Sequence, residues 1–220
     1  MAKSITKMNE QEFQEWFMSD PETNFKKLYT KEYINSIKWS YVPLKTIQKY
    51  KDLVDWNIVS RYRQLSEPFI ERHKSLVNWT QISTFQQLSD TFIEAHKNEL
   101  NMSLVNDNWL NKDTEFKKKA VIDTGLYECH EDYFIAYKGI RSDRYSAFNF
   151  QYKYLPGNTY TCFADGSRNE NSFGLSVWNE SNARDYCSEL IVKCKVFYED
   201  VARVVHDGGK IRCSKITILD

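Results

Sequence analysis

Between Trp56 and Lys97 one pattern of apolar and polar positions is written twice, 23 residues apart. Trp56, Val59, Ser60, Gln64, Leu65, Ser66, Phe69, Ile70, Glu71, His73 and Lys74 recur as Trp79, Ile82, Ser83, Gln87, Leu88, Ser89, Phe92, Ile93, Glu94, His96 and Lys97. Recurrence that includes the polar positions marks a repeat array, in which each copy meets its neighbours in the same way. One register step earlier, Tyr33, Trp39, Val42 and Ile47 fall where Trp56, Tyr62, Leu65 and Ile70 sit. A further step puts Trp16 under Trp39 and Asp20 under Pro43, in a degenerate first copy of the kind that caps an array. The pattern fades after Met102.

Each unit reads as two short helices. Asp55 or Asn78 caps the first, whose Trp56, Val59 and Tyr62, or Trp79, Ile82 and Phe85, share a face at spacings of three. Ser66 or Ser89 caps the second, followed by an acid, Glu67 or Asp90, in the first turn. Two one-sided helices cannot bury themselves alone, so the units are expected to stack.

From Asp123 the period changes to alternation. Strands are predicted near Tyr133 to Gly139, Phe148 to Tyr154, Thr159 to Ala164, Ser172 to Val177, Leu190 to Phe197 and Ile211 to Leu219. Leu155-Pro-Gly-Asn158 is a tight turn, Asn179 to Cys187 a helix, and Glu199 to Val205 a second short helix or turn closed by Asp207-Gly-Gly209. The fold class is therefore α+β: an array of short helix pairs over residues 8–104, a linker or helix end over 105–122, and a mainly antiparallel α+β domain over 123–220.

Composition narrows the function classes. Thirty Lys and Arg balance thirty Asp and Glu, so no basic field points to nucleic acid. Residues Met1 to Asn9 are polar, and no apolar run approaches a membrane span. The five cysteines, Cys129, Cys162, Cys187, Cys194 and Cys213, are widely spaced without a C-x-x-C pair, which suits reduced thiols and leaves no zinc motif.

Candidate chemistry is sparse. His73 and His96, with Glu71 and Glu94, read either as a metal or acid-base pair or as packing residues; Tyr50 fills the same slot one copy earlier, which favours packing. The turn Arg141-Ser-Asp-Arg144, with Lys138 and Tyr145, reads as an anion-binding loop or as a solvated strand end with a local Arg–Asp pair, the second being favoured. Asp165 to Asn171 is a polar loop suited to a lid or a partner contact, and His206 is a base or a turn residue. No metal site and no complete catalytic set is legible, so no residue is assigned as catalytic. A helical array offers a surface for a protein partner, and here Arg61, Arg63, Arg72, Lys74 and Lys97 are its expected charged contacts. The oligomeric state is not legible.

Two segments carry a resemblance. Ala136-Tyr-Lys-Gly-Ile-Arg141 and Ser172-Phe-Gly-Leu-Ser-Val-Trp178 loosely resemble the core of ADP-ribosyltransferases, in which a cation and a hydroxyl hold the nicotinamide ribose and a late carboxylate polarises it. Carried over, that resemblance implies a site for an NAD-like nucleotide made by Lys138, Arg141 and Ser176 with Glu199 or Asp207, beside the Arg144 of the turn. The chain departs from the pattern with Lys138 in the first cationic slot and no acid between Lys210 and Ile218, which implies a degenerate, ligand-binding version. More of the chain resembles proteins of bacteriophages and large DNA viruses. The carriers are the tandem W-x-x-[IV]-S-x-x-x-Q-L-S-x-x-F-I-x-x-H-K units, together with Tyr137-Lys-Gly-Ile, Phe150-Gln-Tyr, Pro156-Gly-Asn-Thr-Tyr160 and Phe173-Gly-Leu-Ser. This second resemblance implies an accessory protein in the host cytoplasm that binds and inhibits or modulates a host factor, a defence system among the options.

Overall fold

The computed structural model of the protein describes residues 5, 8, 10–28, 39, 41–147 and 152–220. Two compact units divide the chain, Met1–Val105 and Asn106–Asp220. Tyr33 of the register and Phe148 to Gln151 of the second expected strand lie outside the described residues.

The first unit is the helical array. Its helices are α1 (Glu10–Ser19), α2 (Pro21–Leu28), α3 (Leu44–Lys49), α4 (Trp56–Tyr62), α5 (Glu67–Arg72), α6 (Trp79–Phe85) and α7 (Asp90–Ala95), and α8 (Met102–Asp107) begins within it. Their caps follow the register. Asp55 accepts from the Asn57 amide at 2.8 Å and Asn78 from the Gln81 amide at 3.0 Å, while Asp20, in the position of Pro43, accepts from Thr23 N. Ser89 Oγ caps Phe92 N at 3.2 Å, whereas Ser66 holds the equivalent place without a side-chain cap bond. Register partners share burial: Trp39, Tyr62 and Phe85 are core, as are Val42, Leu65 and Leu88.

Polar side chains also repeat as rungs between copies. Ser60 Oγ accepts from Asn78 N at 3.0 Å, and Ser83 Oγ accepts from Asn101 N at the same distance. The Trp56 and Trp79 indoles donate to the carbonyls of Lys51 and Lys74. Asn101 in turn accepts from Leu104 N, so the array continues into α8 past the point where its apolar pattern fades.

Among the described residues, the second unit is built on eight antiparallel strands: β1 (Glu128–Cys129), β2 (Tyr133–Ile140), β3 (Thr159–Thr161), β4 (Leu175–Trp178), β5 (Leu190–Phe197), β6 (Val201–Val205), β7 (Lys210–Cys213) and β8 (Lys215–Ile218). Their order is β3-β8-β5-β2-β4-β7-β6, with β1 beside β2. The segment expected as a linker belongs to this unit. Helix α9 (Thr114–Ile122), capped by Asp113, places Val121 in the core with Phe134, Ala136, Ile140, Val177 and Val192. Its buried Lys117 extends to the Glu199 carbonyl at 3.1 Å, keeping an apolar stem inside and a satisfied head. Helix α10 (Glu180–Tyr186) lies on the opposite face, against Gly139. A Cβ at Gly139 would run into the carbonyls of Ala183 and Cys187, which explains the glycine.

Three expected elements differ from the structure. Of the strand expected over Phe148 to Tyr154, the described residues Tyr152 to Tyr154 hold one isolated bridge, Lys153 to Tyr145, and no strand. Glu199 to Val205 is a single 3₁₀ turn, Tyr198–Asp200, followed by strand β6, because the β-branched Val201 and Val205 are buried, and Val204 half-buried, along its pairing with β7. The long last strand is two. Ser214 breaks it by turning its amide to the Asp200 carbonyl, so β7 pairs with β4 and β6 while β8 pairs with β3 and β5. No helix among the described residues is long and apolar enough to cross a membrane.

Candidate functional site

Sequence-predicted chemistry at the strand ends is reorganised by the fold. Alternation along β2 puts Lys138 on the core side with Phe134, Ala136 and Ile140, and it is buried. β2 and β4 pair only at Tyr137 and Trp178, and the Lys138 ammonium bridges the two strands, donating to the Ser176 carbonyl at 2.7 Å. The rings of Tyr154 and Trp178 stand 4.9 and 5.3 Å from Nζ, an arrangement in which aromatic faces stabilise a desolvated cation. Burial pushes this amine down to about 8, and raises the neighbouring thiols Cys162, Cys194 and Cys213. Lys138 and Ser176 thus do meet, through the serine backbone and as a strand-to-strand brace.

The remaining members do not join them. Glu199 and Asp207 are exposed at opposite ends of β6, which at about 3.3 Å per residue separates them by roughly 17 Å. Arg141 pairs with Asp143, and Arg144, at φ 70°, gives Nη1 to the Tyr154 carbonyl at 3.3 Å. The same turn donates its Ser142 amide to Glu189 at 2.9 Å. Two carboxylates therefore already face the turn expected to hold an anion, and the solvated strand end with an internal Arg–Asp pair describes it.

The loop from Asp165 to Asn171 is pinned by three cations of β6 and β7. Arg212, fully buried, donates to the Asp165 carboxylate at 3.0 Å and to the carbonyls of Asp165, Ser167 and Asn169. Arg203 reaches the Gly166 carbonyl and Asp107, and Lys210 the Glu170 carbonyl at 2.9 Å. Asp165 further accepts from Ser167, Ser172 and the Phe173 amide. These bonds make the loop a fixed element rather than a lid. His206, exposed beside it, takes the Gly209 amide on its carbonyl and acts as a turn residue. Composition alone hid this cluster, although three cations opposite a Ser-, Asn- and Asp-rich loop are its signal.

In the array, the histidines pack. His73 is buried against Trp56 and Phe69, with ring centroids 5.2 and 4.3 Å away, and His96 repeats the contact with Trp79 and Phe92 at 5.1 and 4.3 Å. His96 Nε2 also lies 2.9 Å from Glu71 of the preceding copy. Among the described residues, no group of three or more His, Cys, Asp or Glu side chains is placed to hold a metal ion. Most of the expected partner cations have partners within the array. Arg61 stacks on Tyr62 and Phe85, Arg63 donates to the Val42 carbonyl, and Lys74 and Lys97 pair with Glu71 and Glu94, leaving Arg72 exposed on α5.

What the array does present is a groove. Its walls are the equivalent turns of two successive copies, Gln64 to Pro68 and Gln87 to Ser89, around an open volume of about 380 Å³. Leu65 and Leu88 are buried, and Gln64, Ser66, Gln87 and Ser89 are exposed. The floor is rigid because Gln86, buried beneath it, accepts from Leu65 N and donates to the Ser60 and Arg63 carbonyls, while Glu67 Oε1 accepts from Ser89 N at 2.6 Å. The signal in the sequence is the repeated Gln-Leu-Ser triplet, Gln64 to Ser66 and Gln87 to Ser89.

No protein-family model, no curated protein and no solved structure matches the chain.

Proposed function

We propose that this is a binding protein whose helical array docks a protein partner and thereby inhibits or modulates it. The observation that carries the reading is the groove between Gln64–Pro68 and Gln87–Ser89, a preorganised surface made by copying one turn, with ordering already achieved through Gln86 and Glu67. Support for a host factor as that partner, with a defence component among the candidates and the host cytoplasm as the setting, comes from the resemblance of the tandem units to bacteriophage and large-DNA-virus proteins. The second unit braces Lys138 inside its sheet and separates Glu199 from Asp207, which supports a structural or sensing role over group transfer.

Site-specific photo-crosslinking in host lysate tests this. A crosslinker at position 64 or 87 is expected to capture the same host protein, and a crosslinker at the exposed Asp143 of the second unit to capture it weakly or not at all. Capture from Asp143 alone, or from none of the three, overturns the reading.

A further inference from the structure

The groove's own dimensions and chemistry narrow what enters it, and the inference below rests on the array being the docking module. Helices α4 and α6 pack side by side as equivalents in consecutive copies. Packed helices stand about 8–10 Å apart, so equivalent turns repeat at about that interval. A polyproline II chain advances 3.1 Å per residue with three residues per turn, returning to one face about every 9 Å. A β-strand returns to one face about every 6.8 Å, out of step with the array. An α-helix has its main-chain groups bonded internally and offers none to a wall of amides.

The walls want such main-chain groups. Gln64 and Gln87, one copy apart and exposed, have no side-chain hydrogen bond among the described residues. Each carboxamide carries donors and an acceptor in one plane, the complement of a peptide unit. Polyproline II leaves its carbonyls and any amides open to solvent. Leu65 and Leu88 give apolar floor at the same one-copy spacing, bounded by Pro68. Charge adds a direction: Glu67 is the charged side chain of the lining, and no cation contributes to it.

We propose that the groove binds an extended, polyproline II segment of a partner protein, with an apolar residue at every third position over Leu65 and Leu88 and a basic residue facing Glu67. Gln64 and Gln87 hold its main chain.

Fluorescence anisotropy with the full chain and labelled nine-residue peptides tests this. The probe is (Lys-Pro-Leu)₃; the comparisons are (Glu-Pro-Leu)₃, which reverses the charge, and (Lys-Gly-Ser)₃, which keeps the charge but removes the apolar face and the stiff conformation. The probe is expected to bind at least tenfold more tightly than either comparison. Gln64→Ala with Gln87→Ala is expected to weaken it at least tenfold. Glu67→Gln, which retains an acceptor for the Ser89 amide, is expected to narrow the gap between the Lys and Glu peptides. Equal binding of the Lys peptides, equal binding of the Lys-Pro-Leu and Glu-Pro-Leu peptides, no binding, or indifference to the glutamine substitutions overturns the proposal. The failures are separable. If positions 64 and 87 still crosslink a host protein while the peptide fails, the array docks a differently shaped partner; if neither succeeds, the docking function falls as well.

Discussion

Gln86 stands in its copy where Arg63 stands one copy earlier, and both side chains reach back to the same place in the preceding turn. Gln86 accepts from the Leu65 amide at 2.9 Å, and Arg63 donates to the Val42 carbonyl at 3.0 Å. Leu65 and Val42 are themselves register partners, so one structural task is met by two chemistries. A carboxamide can serve a donor and acceptors together, and Gln86 also donates to the Ser60 and Arg63 carbonyls.

Removing that side chain strands three main-chain groups, two of them buried. Gln86→Ala is expected to cost about 3 kcal/mol in urea unfolding, and Gln86→Glu at least as much, since a carboxylate repels the two carbonyls it replaces a donor for. A loss under about 1 kcal/mol would show that water takes over these bonds.

The histidine slots give a different result. Because Tyr50 occupies the same position, His73→Tyr is expected to stay within about 1 kcal/mol, whereas His73→Ala opens space beside Trp56 and Phe69 and costs about 2–4 kcal/mol. Thermal unfolding with and without added zinc measures both effects, and the midpoint is expected to be unchanged by the metal.

Lys138 sets a pH dependence. Its amine titrates near 8 in the folded chain against 10.5 when solvated, so between these values the unfolded chain holds more protons and stability rises with pH. Below about 8 the contribution is flat. Lys138→Met lacks this term, so from pH 8 to 10.5 the native chain is expected to gain on the variant by up to about 3 kcal/mol. Comparing the pair removes the burial effect on the thiols Cys162, Cys194 and Cys213, whose raised values act in the opposite direction. A constant difference in denaturant midpoints across the window would mean that Lys138 is solvated.

Asp107 meets two arginines of unequal worth. Arg168 chelates its carboxylate from a largely exposed position, while Arg203 is only 10 % exposed, touches the Asp107 and Gly166 carbonyls, and stacks over Trp109 at 5.0 Å. Arg168→Ala is expected to cost less than about 1 kcal/mol and Arg203→Ala about 3. Hydrogen exchange along residues 165–171 is expected to quicken only in the second variant.

The array was legible because copies preserve both apolar and polar positions, and its α+β successor because β2, β5 and the Pro-Gly turn carry plain alternation and turn signals. The sheet's details were not. Glu199 to Val205 reads as a short helix or turn, although its valines favour the strand that forms from Val201 to Val205. Lys210 to Leu219 alternates without a break, and the Asp200 carbonyl that draws Ser214 out of line is distant in sequence. Lys138 was read by its charge, yet its parity with Phe134, Ala136 and Ile140 already placed it inside. Lys117, buried beside an exposed Phe116, inverts the amphipathic rule because a long stem lets a cation reach a carbonyl across the core edge.

The serine rungs carry a consequence for descent. Ser60 holds the amide of Asn78 as Ser83 holds that of Asn101, so the two copies that begin at Trp56 and Trp79 end on the same socket. Duplication or loss of one such 23-residue cassette leaves the serine socket at the joint filled. Related chains are therefore expected to differ in length by whole cassettes, trading reach for size without redesigning a single joint.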